Sequence, residues 1–303
     1  MQYFPLFVDT QSLNVLIVGA GEVAARKLDL LARTKANIEV IAPNVSDEVL
    51  AYAEQGRITL TPRPVLESDI KDQALVYLAT ANAELNRQLA EVAKGKGVWA
   101  NVVDDPRYCR FITPSIVDRG KLVIAISTAG SAPVYARDIR ARLEAWLPQS
   151  LRPLFDFVAE KRLHVQSSVA TGKERRLVWE RFFQLNRDRF DEETAEHFEQ
   201  ALVGGSSKGD ILLLSQDTDL ELLPIGAMPL LQRIDKVLCD DELPPALLEL
   251  IRRDASRAPM MSPSHLIEAY THGSRLLIYG APQQITQLKA AIPAAKHIQA
   301  GAL

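Results

Sequence analysis

The sequence has few cysteines, little net charge and no long apolar run, and each shortage excludes a class of protein. Cys109 and Cys239 are the two cysteines among 303 residues, and their separation excludes a zinc knuckle or a paired redox motif. We expect reduced thiols, as in a cytoplasmic protein. The formal net charge of −3 gives the chain as a whole no attraction for nucleic acid.

The sequence also predicts neither a membrane segment nor a leader. No stretch reaches the roughly 18 apolar residues that a spanning helix needs. The first ten residues lack the basic region and the long apolar stretch that are typical of a signal peptide. We therefore expect a cytoplasmic protein without membrane or nucleic-acid partners. Its length and its 47% of hydrophobic residues suit about two domains with ordinary cores.

Predicted strands and helices alternate through the first hundred residues. Apolar runs predict the strands, which are 14–18, 38–42, 58–60, 75–79 and 98–103. Helical spacing predicts the helices, which are 19–33, 46–54 and 83–94. This alternation is typical of a parallel sheet with helices on both faces.

The pattern changes after residue 111. A strand is predicted at 122–127, and a long helix starts near Ala132, with Pro133 in its first turn. Residues 151–201 are nearly all helical in pattern, and Gly172 is the clearest break. A linker follows at 204–209, and strands alternate with helices again from there to residue 303.

A glycine loop joins the first strand to the first helix. Residues 19–24 read Gly-Ala-Gly-Glu-Val-Ala, which fits the G-x-G-x-x-A dinucleotide fingerprint. Gly19 permits the tight turn, Gly21 lets the backbone approach a pyrophosphate, and N–H groups at the helix start bind phosphates. Glycines also simply make turns, but the strand–turn–helix context favours nucleotide binding by Gly19, Gly21, Glu22 and Val23.

The second strand lacks the acidic residue that usually holds a ribose. Its end reads Ala-Pro43-Asn44, whereas Glu39 lies too early, inside the strand. Asn44 can hydrogen-bond a ribose hydroxyl, and no arginine favours a 2′-phosphate, so we predict NAD rather than NADP. The fourth strand ends at Thr80-Ala81, which should lie beside the cofactor.

The fifth strand ends near Asp104, at the ligand-facing edge of the predicted sheet. A carboxylate beside a nicotinamide can act as a general base when a hydride leaves the substrate. The alternative from the pattern alone is a structural aspartate that begins an Asp-Pro turn.

Several motifs occur together over the first two hundred residues. They are Gly-Ala-Gly-Glu-Val-Ala-Ala-Arg-Lys at 19–27, Asn-Val-Val-Asp-Asp-Pro at 101–106, Phe-Ile-Thr-Pro-Ser-Ile-Val-Asp-Arg-Gly at 111–120, Ser-Thr-Ala-Gly-Ser-Ala-Pro-Val at 127–134 and Leu-Val-Trp-Glu-Arg-Phe-Phe at 177–183. In this order and spacing they resemble the precorrin-2 dehydrogenase/ferrochelatase part of siroheme synthase.

The resemblance implies an activity and its residues. It implies NAD-dependent oxidation of precorrin-2 to sirohydrochlorin, followed by insertion of Fe²⁺ as the substrate metal to give siroheme, with Asp104 as the catalytic residue of both steps. It further implies that substrate is bound by Asn101, Ser127, Thr128 and Ser131. Thr128 stands where the family often has a serine that can be phosphorylated. We predict no protein metal ligands, because the macrocycle itself holds the metal.

The resemblance also implies a homodimer and a domain order. The α/β fold that we predict has an N-terminal Rossmann-type sheet at 1–113, a dimerisation segment at 114–148, a helical domain at 149–205 and a small α/β domain at 206–303. This last domain resembles a truncated uroporphyrinogen-III methyltransferase domain. Ser-Gln-Asp-Thr-Asp at 215–219 replaces the family's glycine-rich loop, so we expect no methyl transfer, and a separate methyltransferase to supply precorrin-2.

The sequence leaves two questions open, and it supports one further prediction about aromatic side chains. Residues 161–190 hold eight Lys or Arg against three acidic residues, which predicts either a solvated helix face or a pocket for substrate carboxylates. The alternatives to this enzyme are a non-enzymatic NAD-sensing Rossmann module and a generic NADP-dependent oxidoreductase. Finally, we predict core positions for Phe4, Phe7, Trp99 and Trp146.

Overall fold

The computed structural model describes residues 2–204 and 209–301. The predicted linker at 204–209 therefore lies mostly outside the described residues. Contacts between Cα atoms divide the chain into two units, residues 1–164 with 188–190 and residues 165–187 with 191–303. No helix among the described residues is long and apolar enough to cross a membrane.

A five-stranded parallel sheet forms the centre of the first unit. Its strands are β1 (Asn14–Val18), β2 (Asn37–Ile41), β3 (Thr59–Thr61), β4 (Leu75–Leu78) and β5 (Trp99–Val102). Its helices are α1 (Glu22–Ala32), α2 (Asp47–Glu54) and α3 (Ala83–Gly95). The strand order is β3-β2-β1-β4-β5, so the direction of the winding reverses between β1 and β4. Every strand and helix predicted for this region is present, and the Rossmann-type sheet is confirmed.

Alternation along the strands supplies a core on each face of this sheet. Val15 and Ile17 of β1 pack in one cluster with Leu28 of α1 and Val49 of α2. Leu16 and Val18 belong to the opposite cluster, which includes residues of α3. Because successive strand side chains point to opposite faces, one run of apolar residues in β1 serves both layers.

An antiparallel hairpin and a long helix follow the sheet. The hairpin consists of β6 (Ser115–Arg119) and β7 (Leu122–Ile126), and the helix is α4 (Pro133–Trp146). The sequence did not predict β6. Arg119 is 3% exposed, and its guanidinium donates to the carbonyl oxygens of Glu144 at 3.2 Å and Leu147 at 2.8 Å. These carbonyls at the end of α4 have no partner within the helix, so the arginine joins helix and hairpin.

Helices α5 (Leu151–Ser168), α6 (Gly172–Asn186) and α7 (Thr194–Val203) come next. The predicted break at Gly172 is the start of α6. Phe182 and Phe198 are fully buried, and the Trp179 ring lies 6.0 Å and 5.8 Å from their ring centroids. The helical spacing of Trp179 and Phe182 therefore reflects core packing.

A second parallel sheet occupies the chain after residue 209. Its strands are β8 (Asp210–Ser215), β9 (Lys236–Leu238), β10 (Ser256–Ala258), β11 (Arg275–Gly280) and β12 (Lys296–Ile298), in the order β10-β9-β11-β8-β12. Its helices are α8 (Met228–Leu231), α9 (Pro245–Leu250), α10 (Pro263–Thr271) and α11 (Pro282–Ala291). The predicted second α/β region is confirmed.

The prediction that four aromatic residues lie in the core was wrong. Phe4 is 80% exposed, Phe7 72%, Trp99 39% and Trp146 74%. Phe4 and Phe7 precede the first strand. Trp99 begins the edge strand β5, and Trp146 ends α4. Apolar character alone does not bury a side chain when its element presents that position to solvent.

Candidate dinucleotide and catalytic site

The first glycine of the loop is held tightly between two strand ends. Gly19 has a φ of +104°, and its N–H donates to the carbonyl of Ile41 at 2.9 Å. A Cβ at this position would lie 2.5 Å from the Ala79 carbonyl oxygen and 3.1 Å from the Thr80 nitrogen. Only glycine suits both the backbone conformation and the space. The loop thus sits where the strand order reverses, the usual ligand position in such sheets.

The second glycine leaves open space in front of helix α1. A Cβ at Gly21 would meet nothing within 4 Å. Gly21 is the N-cap of α1 and makes no side-chain cap bond, so the first N–H groups, including those of Glu22 and Val23, lack a side-chain partner there. Unsatisfied N–H groups and the helix dipole favour an anion. The loop therefore fits the pyrophosphate of a dinucleotide.

The predicted ribose side of the site contains an additional serine. Pro43 and Asn44 are exposed. Ser46 is the N-cap of α2, and its N–H donates to the Ala20 carbonyl at 3.0 Å, which ties this segment to the glycine loop. Its buried Oγ has no hydrogen-bond partner among the described residues. Ser46 was not predicted as a site residue, although serine before an acidic helix start is a cap signal.

A buried asparagine holds the end of β4. Asn86 is 3% exposed. Its side chain accepts from Thr80 Oγ1 at 2.6 Å and donates to the Thr80 carbonyl at 3.0 Å. Thr80 and Ala81 thereby form a rigid edge after β4, next to Gly19. Asn86 was not predicted as a site residue, because in the sequence it is simply one polar residue on a helix.

Asp104 stands free at the end of β5. Its side chain is exposed, its φ is +60°, and among the described residues it makes no hydrogen bond or ion pair. Non-glycine residues with positive φ are uncommon, and aspartate tolerates this region better than most. The next residue, Asp105, is bound by Arg107 and by Arg87, each at 3.0 Å. Those hydrogen bonds, chiefly that of Arg107, lower the pKa of Asp105. Asp105 is thus structural, and Asp104 is available to a ligand.

The residues beneath Asp104 form a small polar cluster. Asn101 is buried, and its amide donates to the Phe111 carbonyl at 2.9 Å. The Cys109 thiol lies 3.2 Å from both the nitrogen and the oxygen of Val102, and burial raises its pKa. Lys27 of α1 is partly buried, and desolvation lowers its pKa, against the opposing effects of Cys109 and Asp104. Lys27 was not predicted as a site residue.

The serine and threonine turn lies between β7 and α4. Ser127 Oγ accepts from the Ala129 N–H at 3.0 Å, and Thr128 Oγ1 accepts from the Ala132 N–H at 3.1 Å. Ser127 and Ser131 are exposed. No hydrogen bond among the described residues links this turn to Asp104. The structure therefore places the predicted cofactor residues at one sheet edge, and the turn after a separate hairpin.

The basic run at 161–190 is used in part for packing. Arg175 donates to the Val169 carbonyl at 2.8 Å, and Arg181 to the Ala201 carbonyl at 3.0 Å. Arg176 pairs with Asp235 at 2.5 Å. These three arginines bind groups of the protein itself. The choice between a solvated helix face and a pocket for substrate carboxylates stays a prediction for the rest of the run. Among the described residues, no group of three or more His, Cys, Asp or Glu side chains could hold a metal ion.

The first sheet, its glycine loop and α1 define a Rossmann-type dinucleotide-binding protein. Three family profiles match in succession: an NAD(P)-binding family at residues 6–115, the central sirohaem biosynthesis family at 119–145, and the sirohaem synthase dimerisation region at 150–202. In these matches the chain corresponds to the N-terminal part of siroheme synthase.

Individual relatives agree with this match. The siroheme synthase of Pseudoalteromonas atlantica is 40% identical over 276 residues, which cover 85% of this chain and 58% of the relative. That of Nitrosococcus oceani is 38% identical, with 85% and 57% covered. The chain thus spans little more than half the length of these relatives. Residues 1–205 make up about two thirds of the chain, whereas the matches cover 85% of it. The similarity therefore extends beyond residue 205.

A solved structure shares the fold. The chain named SirC, precorrin-2 dehydrogenase, superposes with a TM-score of 0.53 at 21% sequence identity. The match covers 66% of this chain and 98% of SirC. At this identity the likeness concerns the fold alone.

Proposed function

We propose that the chain uses NAD to oxidise precorrin-2 to sirohydrochlorin in siroheme biosynthesis. The observation that carries the proposal is the exposed, unpartnered carboxylate of Asp104 at the same sheet edge as a glycine loop suited to a dinucleotide. A sensing module needs the loop but not the carboxylate. We place the reaction in the cytoplasm, in keeping with two cysteines that form no disulfide.

The candidate residues have separate roles in binding NAD and in accepting a proton. When bound, NAD supplies the hydride acceptor. The N–H groups after Gly21 bind its pyrophosphate, Asn44 and Ser46 bind the ribose side, and the edge at Thr80 and Ala81 lies along the cofactor. The Asp104 carboxylate accepts the proton that the macrocycle loses as its hydride leaves. Because this carboxylate makes no hydrogen bond or ion pair with the described residues, it is available to take up that proton.

Insertion of Fe²⁺ is a second activity that we propose for the same residue. Fe²⁺ is a substrate here, and its binding by the macrocycle displaces protons from pyrrole nitrogens. Asp104 can accept these protons as well. We propose that substrate also contacts Ser127, Thr128 and Ser131, whose hydroxyls lie on the turn before α4.

Anaerobic turnover of precorrin-2 with NAD tests the assignment. Sirohydrochlorin formation is followed by its visible absorbance in the wild type, Asp104→Asn and the neighbouring Asp105→Asn. We expect Asp104→Asn to lose at least about a hundredfold in rate, the usual contribution of a general base, while its affinity for NAD stays unchanged. Asp105→Asn should lose stability, because it removes the Arg87 and Arg107 contacts, but retain turnover when folded.

Two results would count against the proposal. A folded wild type that binds NAD but leaves precorrin-2 unchanged would favour the sensing module. Full activity of Asp104→Asn would show that Asp104 is not the general base. The Fe²⁺ step is measured separately, from the conversion of sirohydrochlorin to siroheme without NAD, and we expect it to fall in Asp104→Asn as well.

We further propose a homodimer and a separate source of substrate. In the single chain, Val134, Trp146 and Leu163 are exposed apolar residues within or next to the segments that match the central and dimerisation families. Light scattering of the purified chain tests the dimer.

We assign no methyl transfer to the second sheet. The side chain of Gln216, just after β8, donates to Asp241 at 2.8 Å and occupies the edge where a ligand loop would lie. A separate uroporphyrinogen-III methyltransferase would then supply precorrin-2.

A further inference from the structure

Lys27 is an unusual cation in the first unit. It is partly buried, and among the described residues its ammonium makes no hydrogen bond or ion pair. Its neighbour Arg26, by contrast, is exposed and pairs with Glu22. Removing a charged group from water without a partner is costly, and such groups are commonly found where a ligand supplies the missing charge.

The position of Lys27 on α1 directs it toward the proposed catalytic edge. Helix α1 begins at Glu22, at the carboxyl end of β1, and Lys27 lies about 7.5 Å along the axis from that start at about 1.5 Å per residue. Side chains on a helix lean toward its N-terminus, so the long lysine stem leads back toward the ligand edge. Asp104 follows β5, whose carboxyl end lies at the same edge of the sheet as that of β1, with β4 between the two strands. Asp104 and Cys109 also act electrostatically on Lys27, in the direction opposite to desolvation.

Neither neighbouring group neutralises the lysine. Asp104 has its side chain exposed and forms no ion pair with Lys27 among the described residues. Burial raises the pKa of the Cys109 thiol, which keeps it protonated and neutral. A ligand carboxylate that reaches past Asp104 would meet an ammonium already stripped of part of its water, where a charge-assisted hydrogen bond is strong.

We propose that Lys27 is a substrate-binding residue whose ammonium pairs with a carboxylate of the tetrapyrrole and so holds the macrocycle against Asp104. This inference rests on the proposed function, because the substrate class is a polycarboxylate. It adds a specific cation on α1 to the predicted substrate residues, for which the sequence had suggested positive charge only in the run at 161–190.

Binding of sirohydrochlorin tests the proposal without turnover. Anaerobic equilibrium dialysis, read by the absorbance of sirohydrochlorin, gives its Kd for the wild type, Lys27→Met, Lys27→Arg and Lys35→Met. Met keeps the apolar stem, Arg keeps the charge, and the exposed Lys35 precedes β2 at the opposite end of the sheet. Calorimetry with NAD serves as a second binding readout for each variant.

We expect Lys27→Met to raise the Kd of sirohydrochlorin at least tenfold, with Lys27→Arg restoring most of the affinity. Lys35→Met should stay within twofold of the wild type, and the Kd of NAD should be unchanged throughout. Wild-type affinity in Lys27→Met would overturn the inference alone. An equal loss of NAD and sirohydrochlorin affinity in both Lys27 variants would also overturn it, since that result indicates a packing role. A wild type that binds no sirohydrochlorin would overturn the proposed function together with it.

Discussion

Substituting each loop glycine by alanine should separate folding from cofactor binding. At Gly19 the backbone has a φ of +104°, a conformation that costs an L-residue roughly 1–2 kcal/mol. The new Cβ would also lie 2.5 Å from the Ala79 carbonyl oxygen, and overpacking of this kind costs typically about 1–3 kcal/mol. Gly19→Ala should therefore lower the free energy of unfolding by about 2–5 kcal/mol, a large part of the stability of a domain.

At Gly21 the same methyl group meets nothing within 4 Å, and no positive φ is required. Gly21→Ala should lower the free energy of unfolding by less than about 1 kcal/mol, the usual scale of an N-cap change. The methyl group would instead occupy the space that a pyrophosphate needs. We expect the Kd of NAD to rise at least tenfold, about 1.4 kcal/mol.

Urea unfolding and calorimetry with NAD measure the two effects. With a slope of about 1–3 kcal/mol per molar urea, the Gly19→Ala midpoint should fall by about 1 M or more, whereas that of Gly21→Ala should barely move. Unchanged stability of Gly19→Ala would refute the close approach between the loop and β4. Unchanged NAD affinity in Gly21→Ala would refute binding of the pyrophosphate at this helix start.

Three further substitutions test contacts outside the catalytic edge. Arg63 donates a hydrogen bond to Asp69 at 2.7 Å and lowers the pKa of Asp69 to about 2. Because the pair is partly exposed to solvent, Asp69→Asn should lower the free energy of unfolding by about 1–2 kcal/mol at pH 7. Because the folded pKa is depressed, this stabilisation is present above about pH 4 and is lost as the pH falls through about 2, so unfolding curves of the two proteins should converge in acid. Asn86→Ala should cost about 2 kcal/mol in urea unfolding and weaken NAD binding by freeing Thr80; unchanged NAD affinity would show that Asn86 only stabilises the fold. Thr171→Ala removes the side-chain cap of α6 and should cost about 1 kcal/mol, visible as a lower helical signal at intermediate urea, with NAD affinity as the unaffected control.

The amino-acid sequence by itself determined the features that depend on near neighbours along the chain. The first sheet follows from apolar runs such as that of β1, and the turn at Gly19 follows from a backbone conformation that other residues avoid. Asp104 could be placed at the ligand edge, because the carboxyl ends of parallel strands meet there. Strand β6 was missed, since its short run lacks a clear period.

The tertiary structure alone decided which of these residues touch. Ser46 is tied to Ala20, 26 positions earlier, by a backbone hydrogen bond, and Arg176 meets Asp235 across 59 positions. In the sequence, Lys27 is an ordinary lysine on an amphipathic helix, and its partial burial is a property of the folded chain alone. Local periodicity reports how a segment coils, but partial burial of a charge depends on how distant elements pack, and that information is spread over the whole chain.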